Sequence, residues 1–545
     1  MGYAMKRAAG LALILVLCAC SKVENGLTPP SGGAIPGVVR IVGIGSMNSL
    51  IPELAGTAAA EDIAQFWGAW LFLVDDKGDL VPELATEIPT LGNGGISRDG
   101  LTITYHLRRG VTWHDGAPFD ARDVIFSWHA IMNPANNVLS RTGYDQVVAM
   151  SAPDPYTVKV TLRHPYAPVV SALFGPSLTP MSILPAHLLQ NLPNINRAPY
   201  DSLPVGTGPF IITDYEPQSR VILKPNPHYW RGPPKLREID VIMVPDDNTR
   251  VVMMRTGEAD LFYDPPANVI NQLKSIRGVH VDDVTFNEFW YLNFNVEHPP
   301  LDDVRVRHAI EYAVDRDRFI HNVLGGYGAP ARSDQPPFFW SYDSDIPLTP
   351  YDPQIAATLL DSAGWTLHPD GFRYRDGKRI SLVYLSSTGY GDAVRYGPIF
   401  QADMKKIGVD VQLKFVPSSM LFAAKSDGGL MENGRFDVSY QGWIGGVDPD
   451  DATLWMCGQA PPVGWNLSFY CDPKLDAAEN AALTTYDQAA RTRAYFTVQQ
   501  VLAQDAPADF LFWEKRDDAV RDGFLNYRPA PAVTEFWNSW QWQMR

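Results

Sequence analysis

The feature that most constrains the fold is a change in residue pattern near position 290. Residues 38–290 alternate short strands, turns and a few helices, are dense in proline and aromatic residues, and show no sustained helical period. Beyond this point, capped amphipathic helices that end at glycine alternate with strands, a rhythm typical of an α/β unit. A chain of 545 residues with two such patterns is expected to fold as more than one lobe.

Capping residues predict the helices of the second part. Asp315 can cap one helix, and Asp352 followed by Pro353 can begin another that stops at Gly364. Apolar residues alternate with polar ones over residues 409–415, which predicts a strand. These elements indicate an α/β lobe rather than a helical bundle.

A polar turn within residues 107–132 carries no recognisable catalytic set. Asp120 with Asp123 three positions later predicts a capping box at the start of a helix. His114 and Asp115 precede it in the turn and resemble catalytic residues. No third partner accompanies them, so we interpret both as structural. The segment therefore favours a binding scaffold over an enzyme.

The N-terminus predicts an export signal and a lipid anchor. Residues 1–19 hold two cations followed by an apolar stretch too short to span a bilayer as a permanent helix. The stretch ends in Leu-Cys-Ala-Cys, which resembles a bacterial lipobox and predicts lipidation of Cys20; an ordinary signal peptide cut nearby is the alternative. The composition of residues 20–37, rich in glycine, proline and polar residues, then predicts a flexible tether. This predicts a membrane-anchored lipoprotein of the periplasm or cell surface.

Charge and histidine spacing exclude several partners. A net charge of −16 argues against nucleic acid as a partner. The eleven histidines form no His-Glu-x-x-His motif or close pair, so we expect no metal site, and no cofactor is predicted.

Two cysteines lie beyond the signal segment. Cys457 and Cys471 stand close together in a stretch rich in proline and glycine. In an oxidising compartment we expect a disulfide between them, and two independent buried thiols are the alternative. Zinc is not expected, because no histidine or further cysteine lies nearby at ligand spacing.

Residues 107–132 resemble the hallmark segment of the extracellular solute-binding proteins, family 5, the receptors of peptide- and nickel-type ABC importers. Further segments resemble the family in the same order and cover nearly all of the chain after about residue 40. They are residues 78–85, 205–210, 226–230, 257–260, 300–310 and 359–364.

The resemblance implies the two-lobed α/β fold of periplasmic binding proteins, the Venus-flytrap fold, with mixed sheets and a hinge of two crossings. Lobe I would comprise residues 38–292, enlarged by an extra subdomain at about 86–200. Lobe II would comprise residues 293–513, and residues 514–545 would return to lobe I. The crossings are expected near residues 293–296 and 512–516, and the protein is expected to be a monomer.

The segment 436–450 is the most promising ligand-binding region. An alternating strand presents Tyr440, Gln441 and Trp443 before a glycine pair that lets a ligand approach the backbone. In peptide-binding members of the family, an aspartate after this tryptophan pairs with the free amino group of the peptide. Here no acid follows until Asp448, which is either a replacement anchor or a turn former. This departure weakens the expectation of an ordinary di- or tripeptide.

Other ligand candidates follow the first strand or precede the first crossing. They are Ser46, Met47, Asn48, Trp67, Phe289, Trp290 and Tyr291. Aromatic walls suit a broad and adaptable pocket. With 15 tryptophans in the chain, however, most must belong to the core.

The sequence thus predicts a receptor rather than an enzyme. It would capture an oligopeptide or a similar polar solute between its lobes and deliver it to the permease subunits of an ABC importer. One alternative is a ligand-sensing lipoprotein without a transport role. A secreted hydrolase is the less favoured alternative, because it needs paired carboxylates or a nucleophile with a base.

Overall fold

The computed structural model describes residues 33–47, 49–55, 57–176, 180–532 and 535–545. The predicted signal segment, the lipidation site Cys20 and the ligand candidate Asn48 lie outside the described residues. Within these ranges, no helix combines the length and the apolar character needed to cross a lipid bilayer.

Helices and strands alternate along the described chain. The α-helices are α1 (Ala58–Trp67), α2 (Ala121–Met132), α3 (Val169–Ala172), α4 (Ala186–Leu189), α5 (Asp247–Thr256), α6 (Ala267–Lys274), α7 (Val304–Ala313), α8 (Arg316–Val323), α9 (Pro353–Ser362), α10 (Gly391–Lys406), α11 (Ser418–Leu421), α12 (Ala452–Trp455), α13 (Pro473–Thr484) and α14 (Gln488–Asp505). The strands are β1 (Val38–Val42), β2 (Phe72–Val74), β3 (Leu80–Pro82), β4 (Thr102–His106), β5 (Val147–Asp154), β6 (Thr157–Leu162), β7 (Phe210–Glu216), β8 (Arg220–Pro225), β9 (Glu238–Ile242), β10 (Leu261–Phe262), β11 (Val279–Phe294), β12 (Ala329–Pro330), β13 (Thr366–Leu367), β14 (Arg373–Arg375), β15 (Lys378–Arg379), β16 (Ser381–Ser387), β17 (Asp410–Val416), β18 (Val438–Ile444), β19 (Ala508–Arg521), β20 (Phe524–Leu525) and β21 (Gln543–Met544).

One mixed sheet runs through the molecule, in the order β17-β16-β18-β11-β19-β10-β1-β9-β8-β7, with β12 beside β19. The long strands β11 and β19 lie at its centre and are antiparallel. On one side, β1 is parallel to both β9 and β10. On the other side, β16 is parallel to both β17 and β18. The mixed α/β content predicted from the sequence is therefore present.

The two central strands pair with each other in both halves and gain different outer neighbours. Residues 279–285 and 289–293 of β11 pair with β19. Residues 288–294 of β11 also pair with β18 on the other edge, whereas β10 pairs with β19 at residues 519–520. The register of β11 on β19 shifts between Thr285 and Phe289. We call the sheet on the β10 side lobe I and the sheet on the β18 side lobe II. The sequence placed the first crossing near residues 293–296, and the register shift lies a few residues earlier.

Each lobe has its own hydrophobic core. The core of lobe I includes Ile41, Phe66, Phe210 and Trp542. The core of lobe II includes Phe319, Tyr384, Tyr396 and Phe512. A third core, beneath the small sheet β5-β6-β4 and helix α2, includes Trp113, Val124 and Val160. Burial of apolar surface in separate cores lets the lobes move relative to one another while each stays folded.

The polar turn before α2 is structural, as predicted. Asp120 caps the helix and forms a capping box with Asp123. The Nδ1 atom of His114 accepts the Gly206 N–H at 3.2 Å, and its Nε2–H donates to the Gly208 carbonyl at 3.0 Å. Burial lowers the pKa of His114 to about 4, which keeps this ring neutral. The histidine therefore fastens the turn to the segment before β7.

A buried ion pair ties three elements of lobe I together. Asp260, just before β10, is fully buried and accepts two hydrogen bonds of 2.8 Å from the guanidinium of Arg40 on β1. Arg521 on β19 approaches the same carboxylate at 3.4 Å. The two arginines lie on different strands, so this carboxylate links β1 to the C-terminal end of β19. We call β11 and β19, the paired central strands, the hinge strands.

Removal of this buried carboxylate should destabilise the protein strongly. We expect Asp260→Ala to lower the free energy of unfolding by about 3–5 kcal/mol, because it leaves Arg40 buried without its partner. The matched control is Asp522→Ala, whose carboxylate is mostly exposed and pairs with His280; it should cost less than about 1 kcal/mol. Urea unfolding followed by circular dichroism measures both values, and equal losses for the two variants would contradict this role of Asp260.

Candidate functional site

A cavity of about 280 Å³ lies at the carboxyl ends of the parallel strands of lobe II. Its lining residues are Tyr291, Tyr390, Phe422, Gln441, Gly442, Trp443, Leu454, Trp465 and Leu467. In open α/β sheets, ligands bind outside the carboxyl ends of the strands. The position of this cavity therefore identifies it as the candidate ligand site.

The pairing of the strands explains why a cavity forms here. Strand β16 pairs with β18 only as far as Ser439. The next part of β18, which carries Gln441 and Trp443, therefore has one free edge. Tyr390 at the start of α10 follows β16, and Phe422 at the end of α11 follows β17. Three successive strand ends thus place side chains around one space.

The walls of the cavity are aromatic. The ring centres of Trp443 and Trp465 are 6.4 Å apart, and those of Phe422 and Trp465 are 6.5 Å apart. Trp465 is 46% exposed, whereas Tyr291 and Leu454 are buried. None of the lining residues carries a charged side chain. Such a lining favours flat or apolar groups of a ligand.

The disulfide Cys457–Cys471 closes the loop that carries part of this wall. Trp465 and Leu467 lie between the two cysteines, and Leu454 lies just before the first of them. By closing this loop, the covalent bond limits the positions that Trp465 can adopt beside β18.

Among the described residues that line the cavity, Gln441 alone carries a side-chain amide. The residue is 4% exposed, and its Nε2 atom lies 3.9 Å from the sulfur of Met431. Among the described residues, its amide has no oxygen or nitrogen partner. Buried amides in proteins are nearly always hydrogen-bonded to protein or water. Gln441 can therefore offer both a donor and an acceptor to a group in the cavity.

Gly442 allows close packing behind the cavity. A Cβ atom at this position would lie 2.9 Å from ring atoms of Trp290 and 3.1 Å from Oε1 of Glu288. Any side chain would push Trp290 away from β18, so only glycine permits this arrangement.

A pair of carboxyl groups lies behind the cavity, one on each of the paired central strands β11 and β19. Glu514 on β19 accepts the indole N–H of Trp290 at 2.9 Å and is hydrogen-bonded to Glu288 on β11. Burial, and then the charge of Glu514, raise the pKa of Glu288 well above its usual range. Burial also raises the pKa of Glu514, so the pair favours one shared proton over two negative charges.

Asp448, expected from the sequence to be either a replacement anchor or a turn former, is already paired. Its carboxylate oxygens accept hydrogen bonds of 2.8 and 2.6 Å from the guanidinium of Arg491 on α14, and Oδ1 also accepts the backbone N–H of Asp450. Both side chains of the pair are largely buried. The structure therefore places Asp448 in a turn that is fixed by an ion pair.

The structure brings together only some of the predicted ligand residues. Tyr291, Gln441 and Trp443 line the cavity. Phe289, Trp443 and Asp448 border a smaller adjoining cleft of about 20 Å³. The predicted ligand residues that are buried in hydrophobic cores are Met47, Trp67, Phe289, Tyr291 and Tyr440. Trp290 stacks on Tyr440 at 5.0 Å behind the cavity, and Ser46 is exposed after β1.

Five lining residues were not predicted from the sequence. They are Tyr390, Phe422, Leu454, Trp465 and Leu467. Tyr390 follows β16 within three residues, a position at which the carboxyl-end rule could have identified it. Trp465 lies between the cysteines, in a stretch whose aromatic and glycine content was a usable signal. Leu454 and Leu467 carry no local signal that distinguishes them from core leucines.

A second set of contacts joins the small sheet unit to lobe II, apart from the hinge. Tyr166 donates its hydroxyl hydrogen to Asp450 at 3.1 Å, and Tyr486 donates to the Gly100 carbonyl at 3.0 Å. The backbone N–H of Tyr166 also donates to the Tyr486 hydroxyl at 3.2 Å. Burial, and then the charge of Asp448, raise the pKa of Asp450 to about 6. We call Gly100, Tyr166, Asp450 and Tyr486 the tyrosine clasp.

The described part of the chain contains no group of three or more His, Cys, Asp or Glu side chains arranged to hold a metal ion.

Comparison with known proteins identifies the family. The profile described as bacterial extracellular solute-binding proteins, family 5 Middle, matches residues 79–464. The glutathione-binding protein GsiB of Pectobacterium atrosepticum is 30% identical over 483 residues, which cover 87% of this chain and 88% of that protein.

Two solved structures extend the likeness to the fold. NikZ from Campylobacter jejuni, in complex with Ni(L-His), is 25% identical with a TM-score of 0.74 and covers 93% of this chain and 100% of its own. DppA from Helicobacter pylori, in complex with the peptide STSA, is 25% identical with a TM-score of 0.72 and covers 94% of this chain and 98% of its own. The two-lobed fold predicted from the sequence is thereby confirmed. The chain is a solute-binding receptor that belongs to the bacterial extracellular solute-binding proteins, family 5.

Proposed function

We propose that this receptor captures a peptide-like solute between its lobes and delivers it to the permease of an ABC importer. The observation that carries the proposal is the aromatic cavity at the carboxyl ends of β16 and β18. Tyr291 of the cavity lies on the hinge strand β11, so a bound solute touches the element about which the lobes move. Relatives named as binding glutathione, Ni(L-His) and a peptide support a solute of this size.

The solute would act by shifting the balance between open and closed forms. Domain closure around a ligand is a common hinge motion, and a ligand favours the form in which it makes more contacts. The tyrosine clasp adds hydrogen bonds between the small sheet unit and lobe II. A permease that recognises both lobes together would then bind the closed form preferentially.

The ion pair of Asp448 with Arg491 narrows the range of solutes. A peptide with a free amino terminus needs a carboxylate partner, because an unpaired buried ammonium costs several kcal/mol. Residues 444–447 supply no acid, and Asp448 is occupied. We therefore expect the solute to contact segment 444–448 through groups other than a free amino terminus.

Binding should depend on Trp443. We expect one or more of dipeptides, tripeptides, glutathione or Ni(L-His) to raise the melting temperature of the secreted chain. At a concentration roughly 100 times Kd, the stabilisation is about 2.7 kcal/mol. Trp443→Ala should abolish the shift, because it removes one wall of the cavity. Trp537→Ala in lobe I, away from the cavity, is the matched control and should keep it.

Measuring solute uptake by cells that carry the same variants tests whether the receptor delivers its solute to the permease. Cells that lack the protein should import the stabilising solute only when wild type or Trp537→Ala is restored, and not with Trp443→Ala. If no solute raises the melting temperature, or if Trp443→Ala binds like wild type, the cavity is not the binding site.

Removal of one hydroxyl from the tyrosine clasp should favour the open form. Tyr486→Phe loses the hydrogen bonds to Gly100 and Tyr166 but keeps its ring. We expect solute affinity to fall about fivefold to tenfold. The radius of gyration of the free protein in small-angle X-ray scattering should increase. Tyr374→Phe, whose exposed hydroxyl donates to Asp370, should change neither value. Unchanged affinity and radius for Tyr486→Phe would show that the clasp does not contribute to closure.

We also propose that Cys20 carries the lipid that keeps the receptor at the membrane. The family description as extracellular supports export, and residues 8–20 have the composition of a lipoprotein signal. With the Cys20→Ala substitution, the protein should move from the membrane fraction to the soluble fraction. A variant that stays in the membrane fraction would contradict a lipid anchor at this position.

A further inference from the structure

We infer that the cavity selects a solute with an uncharged aromatic or bulky aliphatic group beside a hydrogen-bonding atom, and that Gln441 recognises this atom. The inference rests on the proposed function, since it names the class of solute that the receptor captures. It follows from the chemistry of the lining, from the state of the nearby charges and from the exposed side chains next to the cavity.

The size and lining of the cavity suit one apolar group. Seven of the nine lining residues are aromatic or aliphatic, and the other two are Gln441 and Gly442. A volume of about 280 Å³ lies at the lower end of the range for small-molecule pockets, so it holds part of a solute rather than a whole large one. Apolar surface of the solute that enters this space leaves water and stabilises the complex.

The acidic side chains around the cavity and the adjoining cleft are either paired or buried, and burial raises the pKa of Asp334, Asp450 and Asp451 in that cleft. Asp448 is paired with Arg491, and Glu288 and Glu514 are hydrogen-bonded to each other behind Gly442. A cationic or anionic group inside the cavity would lose its hydration without gaining an ionic partner. That loss costs far more than the burial of a neutral group. The cavity therefore discriminates against charged side groups.

Gln441 adds a polar contact to this apolar space. Its amide is buried, and among the residues that the structure describes it has only the sulfur of Met431 as a neighbour within hydrogen-bonding range. An amide presents both a donor and an acceptor, so it can pair with a peptide group or with a hydroxyl group. A solute that satisfies this amide gains a hydrogen bond that no protein group supplies, and a purely hydrocarbon group would leave it unsatisfied.

Exposed apolar side chains next to the lining residues in the chain support this class of solute. Trp465 lines the cavity and is 46% exposed, and Ile444, which follows Trp443, is 42% exposed. Met420 and Val463 lie two residues from Phe422 and Trp465 and are also exposed. Exposed patches of large apolar side chains often mark a site at which a ligand or another protein binds.

A panel of tripeptides Ala-X-Ala, acetylated at the amino terminus and amidated at the carboxyl terminus so that only X varies in charge, tests the class of solute, with binding measured by isothermal titration calorimetry. We expect the peptides with X = Trp, Phe or Leu to bind about tenfold or more tightly than those with X = Gly, Lys or Asp, because only the former bury apolar surface without an unpaired charge. Equal or tighter binding of the Lys or Asp peptide would overturn the inference.

Two variants test the residues involved. Gln441→Leu should weaken Ala-Phe-Ala about tenfold through loss of its hydrogen bond. The control Gln412→Leu, on the exposed face of β17, should bind like wild type. Trp465 lies in a loop and is partly exposed. Trp465→Ala should therefore reduce the preference for the Phe peptide over the Gly peptide without changing the melting temperature of the free protein. Wild-type affinity in Gln441→Leu, or an unchanged preference in Trp465→Ala, would overturn the role of that residue.

The outcomes separate this inference from the proposed function. If glutathione or Ni(L-His) stabilises the protein while no tripeptide with an apolar X binds, the receptor function stands and the solute class is wrong. If no solute of any class binds, both fail.

Discussion

The pairing of β11 with β19 is the constraint on which the rest of the structure depends. These strands are separated by more than 200 residues in the chain, yet they form one antiparallel ladder at the centre of the sheet. The segment 295–507 must therefore fold so that its two ends, which follow β11 and precede β19, lie side by side. The register shift between Thr285 and Phe289 lies where β18 begins to pair with β11. Since main-chain hydrogen bonds continue on both sides, the lobes share a backbone connection but keep separate cores.

The candidate ligand site follows from this arrangement. In lobe II the parallel strands β16, β17 and β18 end beside the hinge, and the incomplete pairing of β16 with β18 leaves room for a cavity there. The nearby acids could have given this space a strong negative field. Instead, Asp448 is neutralised by Arg491, and Glu288 and Glu514 are hydrogen-bonded to each other. The result is an uncharged, aromatic cavity next to the element that moves.

The lobes contact each other both at the hinge strands and at the tyrosine clasp, an arrangement that suits a receptor that works by a conformational change. The hinge strands connect the lobes covalently, whereas the tyrosine clasp connects them through hydrogen bonds that can break. Net hydrogen-bond energies of about 1 kcal/mol each are small enough to be outweighed or reinforced by a bound solute. In the proposed function, the clasp and the cavity act on the same equilibrium from different positions, and the solute supplies the difference in free energy between the open and closed forms.

What the sequence by itself determined is local. The capping box of Asp120 and Asp123, the caps of the lobe II helices and the alternation that presents Gln441 and Trp443 depend on residues a few positions apart, so their patterns could be read directly. The ordered resemblances along the chain also identified the family. Only the tertiary structure decided which aromatic residues face the cavity, because Tyr440 and Trp443 are both candidates in the sequence but Tyr440 is buried in a core. It also decided that Asp448 is occupied, since its partner Arg491 lies 43 residues away. Burial and ion pairing join residues that are distant in the chain, and no local pattern records them.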